Sequence, residues 1–202
     1  MSVRTQYPIP ITQYTVVIVG HHLILGTLQD HITGETLDDT LDERLRQDLA
    51  RLLIDEKGFD KTQIEPRRQV VLTACGKQAS IHLDYIVWID GRVCMIVKYG
   101  PGSLVTRHRP ALGLSRLIEP YQVPLVVITN GRDADILDGQ SGKRLASGLG
   151  GIPAHSDILN KLRSFGFKPI SRERAEGESR IVFAYEIDNA CPCDDTICRI
   201  SE

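Results

Sequence analysis

The chain has 202 residues, a formal net charge of -2, 42% hydrophobic residues and 25% charged ones, a balance that supports one sizeable core with a small appendage. The charge excludes a generally basic nucleic-acid coat while leaving room for a local basic patch, and no apolar run approaches the roughly 20 residues that cross a bilayer. The N-terminal stretch MSVRTQYPIPITQYTVV has no charged segment leading into a long apolar one, and the five cysteines are odd in number, three of them near the C-terminus. Both features point to a cytoplasmic protein rather than a secreted disulfide framework.

Tyr14 to Gly20 and Leu23 to Leu28 are short β-type runs, predicting an N-terminal hairpin around Gly20-His21-His22, where adjacent histidines are more often solvated than ligating. A helix starts at Thr40, with Glu43 three residues on as a capping box. Leu41, Leu45, Leu49, Leu52 and Leu53 form its apolar stripe, and Gly58 ends it. Glu43, Arg44, Arg46 and Asp48 read as its solvated face. Arg67 to Ala74 is a strand ending at Cys75-Gly76.

The stretch HLDYIVWIDGRVCMIVKYGPGS, residues 82–103, organises the rest. It reads as a hairpin turning at Asp90-Gly91. Tyr85 to Ile89 and Val93 to Val97 are apolar on both faces, as in the middle of a sheet covered on both sides. Asp84 opens the hairpin and Lys98 closes it. A three-residue loop at Ile89-Asp90-Gly91 sets Asp84 opposite Ile96, beside Lys98; a two-residue loop sets it opposite Val97 instead. The first is favoured because it brings the two charges together.

A second helix follows from Val105 to Glu119, carrying Arg107, His108, Arg109 and Arg116, with Pro110 in its first turns. Val123 to Ile128 is a buried strand. Helix, three strands, helix, strand is an α/β order: an α+β mixed sheet with a helix on each face. Asp135 to Leu145 reads as a further hairpin, Gly148 to Pro153 as a linker, and Ser156 to Phe165 as a short helix. Arg172 to Ser179 reads as a loop or single turn, Arg180 to Ile187 as a strand, and CPCDDTICRISE as a tail. The divisions are therefore a β extension (1–39), a core (40–147) and a C-terminal helix, strand and tail (148–202).

The capped helix with Glu43, Asp84 at the head of HLDYIVWIDGRVCMIVKYGPG, Lys98 at its far end, and PLVVITNGRDADILDGQSGKRL after a crossover helix together resemble the N-terminal nuclease domain of type I restriction enzyme R subunits. That domain belongs to the PD-(D/E)XK superfamily. The resemblance, over about Leu41 to Leu145, implies a restriction-endonuclease-like core and a magnesium-dependent phosphodiesterase. In it an aspartate and a second acid hold the metal, and a lysine two positions after that acid steadies the attacking water or the phosphate. Two carboxylates suit a hard dication, the ion acidifies bound water, and an ammonium offsets transition-state charge.

Asp84 matches the first position and Lys98 the last, but the second acid falls at Ile96, which cannot bind Mg2+. The glutamine and tyrosine that the family carries on the crossover helix fall at Pro110 and Leu114. Glu43 or Glu119 is the candidate for a relocated acid. These departures favour an eroded nuclease site.

An eroded nuclease fold can still bind DNA or another nucleic acid. Arg107, Arg109, Arg116 and Arg67, with His108, Arg68 and Lys98, are the candidates for neutralising phosphates, the alternative being a solvated helix face. The glycine-rich entrance 100–103 is a weaker phosphate signal. Cys191, Cys193 and Cys198 are close enough to hold one metal, Zn2+ or an iron–sulfur cluster, with Cys75, Cys94, Asp194 or a histidine as a fourth ligand. Their alternative is a set of reduced or redox-active surface thiols, and Cys94 reads as a buried core residue. Three functions follow: a nucleic-acid- or protein-binding module with an eroded site, an active endonuclease with a relocated acid, or a metal- or redox-sensing accessory protein.

Overall fold

A computed structural model of the chain describes residues 23–188 and 197–199. Tyr14 to Gly20, His21 and His22 lie outside them. The N-terminal hairpin pairs β1 (Thr27–Gln29) with β2 (Thr36–Asp38). Its turn spans residues 30–35, and the turn expected at Gly20-His21-His22 falls outside the described residues. The Asp30 carboxylate accepts the Ile32 and Thr33 N–H groups, and Gly34 takes the positive φ of 76° that the turn requires.

In α1 (Leu41–Arg51), Thr40 Oγ1 accepts the Glu43 N–H at 3.1 Å. Leu49, Ala50 and Leu53 are buried, with Leu45 and Leu52 packed beside them. Leu41 is 65% exposed, so the apolar stripe begins one turn later than its leucines suggest. A π turn, Leu52–Glu56, follows before Gly58.

The main sheet comprises β3 (Ile64–Ala74), β4 (Lys77–Ile89), β5 (Arg92–Tyr99), β6 (Leu125–Thr129), β7 (Ala134–Asp138) and β8 (Arg144–Ser147), adjacent in that order. Every pair is antiparallel except β5–β6, which α2 (Val105–Ser115) connects. The result is the expected mixed sheet with helices on both faces. Tyr85, Val87, Met95, Val97 and Val127 face α1 and α3 (His155–Lys161). Ile81, Leu83, Ile86, Ile96, Val126 and Ile128 face α2 and α4 (Arg172–Phe183).

The central hairpin has neither of the expected registers. Ile89 pairs with Arg92 across Asp90-Gly91, whose φ values of 50° and 72° fit a two-residue type I′ turn. A bulge then adds one residue to β5, so Trp88 pairs with Val93 but Val87 with Met95. The ladder ends at Tyr85–Val97. One step further it would set Asp84 opposite Lys98, not Ile96 or Val97.

The largest departure is α4. The segments read as a loop at 172–179 and a strand at 180–187 form one helix, continued by a π turn over Ala184–Asp188. Ser171 Oγ caps it by accepting the Arg174 N–H, and Val182, Phe183 and Ile187 then fall on one buried face. The β-branched run Ile181-Val182 favours a strand locally, but packing on α2 decides otherwise. Gly113 of α2 lets the helices close: a Cβ there would stand 2.5 Å from Val182 Cγ2. The Glu178 carboxylate, 4% exposed, accepts from Arg116 at 2.7 Å and from Arg109. Arg116 also donates to the Gly139 and Gln140 carbonyls, tying in the β7–β8 turn.

Burial alone would raise the Glu178 pKa, but hydrogen bonds from Arg109 and Arg116 hold it below the usual carboxylate range. A pKa depressed by folding stabilises at neutral pH and loses that contribution as pH falls through the folded value. Glu178→Ala, which leaves the Arg116 guanidinium buried and unpaired, should cost about 3–5 kcal/mol by denaturant unfolding at pH 7. The stability gap between wild type and Glu178→Gln should narrow steadily on acidification.

Candidate functional site

The site lies where β4 leaves β5. Beyond Tyr85 the β4–β5 ladder stops, and β9 (Ile197–Arg199) pairs with Ala79–Ile81 further along β4. Residues 82–84 stand between the two pairings. On the other side of β4, Arg67 sits opposite Asp84 with φ of 52°, and this is the one step that the β3–β4 ladder omits. Leu83 and Ile86, three apart, consequently face the same side of the sheet, so strand alternation slips at Asp84.

Asp84 fills this gap with its side chain. Its Oδ2 accepts the Tyr99 N–H at 2.7 Å, replacing a ladder bond, and its Oδ1 accepts Arg46 Nε at 2.8 Å. Arg46 Nη1 lies 3.5 Å from Glu43 Oε2, so one guanidinium bridges carboxylates from α1 and β4. The guanidinium stacks on the Tyr99 ring, 5.0 Å from its centroid, and the Arg46 carbonyl accepts the Tyr85 hydroxyl. Tyr99 in turn donates its hydroxyl to Asp42.

Glu43 accepts from Gln47, which also donates to Asp30, and Asp30 pairs with Arg67. Burial alone would raise the Asp30 pKa, but the Arg67 hydrogen bond, with those of Thr33 and Gln47, drives it far below the carboxylate range. Arg67 also pairs with Glu35. Glu43 and Arg46 therefore belong to the buried polar seam between α1 and the sheet and not to a solvated face.

Lys98 goes elsewhere. It neighbours Ile128 across β5–β6, on the α2 and α4 side of the sheet. Its Nζ donates to the His82 carbonyl at 2.9 Å and lies 3.4 Å from Glu186 Oε2 in the π turn after α4. Ile96 has no exposed surface and pairs with Ile86 and Val126. Pro110 and Leu114 are buried in α2. Of the two acids considered for relocation, Glu43 reaches Asp84 through Arg46, whereas Glu119 pairs with Arg68 at 3.1 Å.

The basic candidates separate as well. Arg116 and Arg109 hold Glu178, and Arg67 holds Asp30. Arg107 donates to the Pro101 carbonyl and lies over Gly100, where a Cβ would meet its Cζ at 2.4 Å. His108 Nε2 contacts Asp135 at 2.8 Å. Cys191 and Cys193 lie outside the described residues, and Cys198 is described only by its strand pairing with Ser80. Cys75 is exposed; Cys94 is buried, which pushes its thiol up to about 11.

The model of one protein family, the type I restriction enzyme R protein N terminus (HSDR_N), matches residues 41–153, more than half of the chain. The chain belongs to that family. The match runs from the first residue of α1 through the β7–β8 hairpin, so it contains Glu43, Asp84, Ile96 and Lys98 and leaves out Asp30 and Glu186. Comparison with curated proteins gave no match, and comparison with solved structures gave none.

The residues present do not fit the magnesium ion that the family resemblance implies. Asp84 spends both oxygens on Arg46 and a backbone N–H, and Glu43 on Gln47 and Arg46. Ile96 offers no ligand, and the described residues contain no group of three or more His, Cys, Asp or Glu placed to hold a metal. No helix among them is long and apolar enough to cross a membrane.

Sequence reasoning missed Arg46, Tyr99, Asp30, Gln47 and Glu186. For Arg46 a signal existed, since it lies three residues after Glu43 on the same helix face. Glu186 gave none, because its segment reads as a strand. Asp84→Ala should destabilise the fold by about 2–4 kcal/mol, since it strands a backbone N–H and a half-buried guanidinium, while Asp84→Asn should cost less because its carbonyl still accepts. Denaturant midpoints of the two variants measure this difference.

Proposed function

We propose that this member of the family binds nucleic acid and does not hydrolyse it. The observation that carries the reading is the use of both Asp84 oxygens inside the protein while the neighbouring acid position is a fully buried isoleucine. Hydrolysis by the two-carboxylate route needs free oxygens converging on a metal, whereas both Asp84 oxygens and Glu43 Oε1 accept from internal donors and Glu43 Oε2 faces the Arg46 guanidinium. The nuclease-like framework persists with its charges neutralised from within.

The nucleic-acid surface in this reading is the rim where β5 and β6 end. Arg107 stands over the Gly100 loop, Asn130 Nδ2 donates to the Gly102 carbonyl, and Arg132 is exposed on the β6–β7 turn beside them. Loop carbonyls and an asparagine fix this edge, leaving two guanidinium groups for phosphates. Arg109 and Arg116, paired with Glu178, and Arg67, paired with Asp30, are committed to internal carboxylates and are not part of this surface.

With Mg2+ or Mn2+, a cleavage time course on duplex and single-stranded DNA should show no product above buffer. Fluorescence anisotropy on labelled DNA should show an affinity that falls with salt. Changing Arg107 and Arg132 together to alanine should lower the salt slope by about 1–2. Metal-dependent cleavage that disappears on Asp84→Asn and on Glu43→Gln would instead establish an active enzyme using Glu43 as its relocated acid, and absence of salt-sensitive binding would overturn the binding role.

A further inference from the structure

We propose that Arg46 is itself the cation of this site. Its guanidinium takes the electrostatic place between Asp84 and Glu43 that a divalent metal would hold, so the site is complete without metal. The inference rests on the eroded-site reading and adds what replaced the lost function. Three features carry it.

The first is position. Arg46 Nε lies 2.8 Å from Asp84 Oδ1, and its Nη1 lies 3.5 Å from Glu43 Oε2, so one positive group joins a helix carboxylate to a strand carboxylate. The second is burial. Asp84 and Glu43 are 8% and 9% exposed, and two carboxylates so placed repel each other unless a cation lies between them. The third is fixation. Stacking on Tyr99 and the Tyr85 hydroxyl on the Arg46 carbonyl hold this residue from both ends.

A surface ion pair would have none of these supports and little energetic weight. Arginine suits the substitution because its planar, permanently charged fork donates along several directions at once. The stabilising charge is then covalently attached and insensitive to metal supply. Removing it should expose the latent preference of the two acids for a free cation.

The test uses the full chain with Mn2+ as the probe, read by isothermal calorimetry and by thermal unfolding with and without EDTA. Wild type should bind no Mn2+ and show the same Tm in either condition, and Arg46→Lys should behave likewise. Arg46→Met should lower the Tm and then regain stability with Mn2+, with a Kd at least about tenfold below the highest Mn2+ concentration at which wild type shows no binding. Adding Asp84→Asn to Arg46→Met should abolish the Mn2+ effect and recover part of the lost Tm, because the uncompensated charge is gone.

Mn2+ binding by wild type, or an Arg46→Met protein that is metal-insensitive, overturns the proposal. Should Arg46→Met fail to fold in both conditions, the double variant decides: recovery of folding supports the proposal and continued failure overturns it. The eroded-site reading fails separately, through DNA cleavage by the wild-type chain.

Discussion

A carboxylate standing in for a backbone hydrogen bond determines how the rest of this molecule is arranged. At Asp84 the β4 strand stops pairing with β5, yet the Tyr99 N–H that would otherwise be orphaned is bonded by the Asp84 side chain. A buried backbone donor must find a partner, and an ionised acceptor supplies a stronger one than a carbonyl. That charge now sits 8% exposed inside the sheet and requires a counter-charge. Arg46 supplies it from α1, Tyr99 and Glu43 gather around the arginine, and Gln47 holds Glu43 in turn. One break in a ladder thus propagates into a polar seam along one face.

On the opposite face the same break has a different consequence. With Asp84 turned to α1, Lys98 is left among the side chains facing α2 and α4, where an ammonium without partners would be costly. The His82 carbonyl, in the stretch of β4 that the β5 ladder does not reach, accepts a hydrogen bond from the ammonium, and Glu186 lies beside it. Glu186 belongs to the π turn after α4, outside the 41–153 stretch that carries the family signature. Asp30, which extends the seam on the first face, also lies outside it. The flanking segments thus neutralise a framework that the family core supplies.

Much of the core was legible from the sequence because its signals are local. Thr40 and Glu43 mark a helix start through one hydrogen bond. The two-sided apolar runs of β4 and β5 mark a covered central hairpin, and VVITNG marks a buried strand and its turn. The register was not legible, because a bulge of one residue in β5 leaves no trace in an unbroken apolar run such as Val93 to Val97. The last helix was not legible either: Ile181 to Phe183 has strand propensity, and only contacts with residues distant in sequence, Gly113 against Val182 and Arg116 against Glu178, reveal that the segment packs as a helix on α2.

The candidate site divides along the same line. Sequence placed Asp84, Lys98 and the isoleucine between them, because those positions follow from a motif's spacing. It placed the pair together, because opposite charges at the ends of one hairpin invite pairing. The fold separates them because a side chain's direction depends on where the strand alternation slips, and that slip is a property of three strands at once. Arg67 on β3 and Tyr99 on β5 mark it on either side of β4. Charge identity in a site can therefore be read from one strand, but charge partnership cannot. Here Arg46 and Glu186, each from a different layer, determine what Asp84 and Lys98 do.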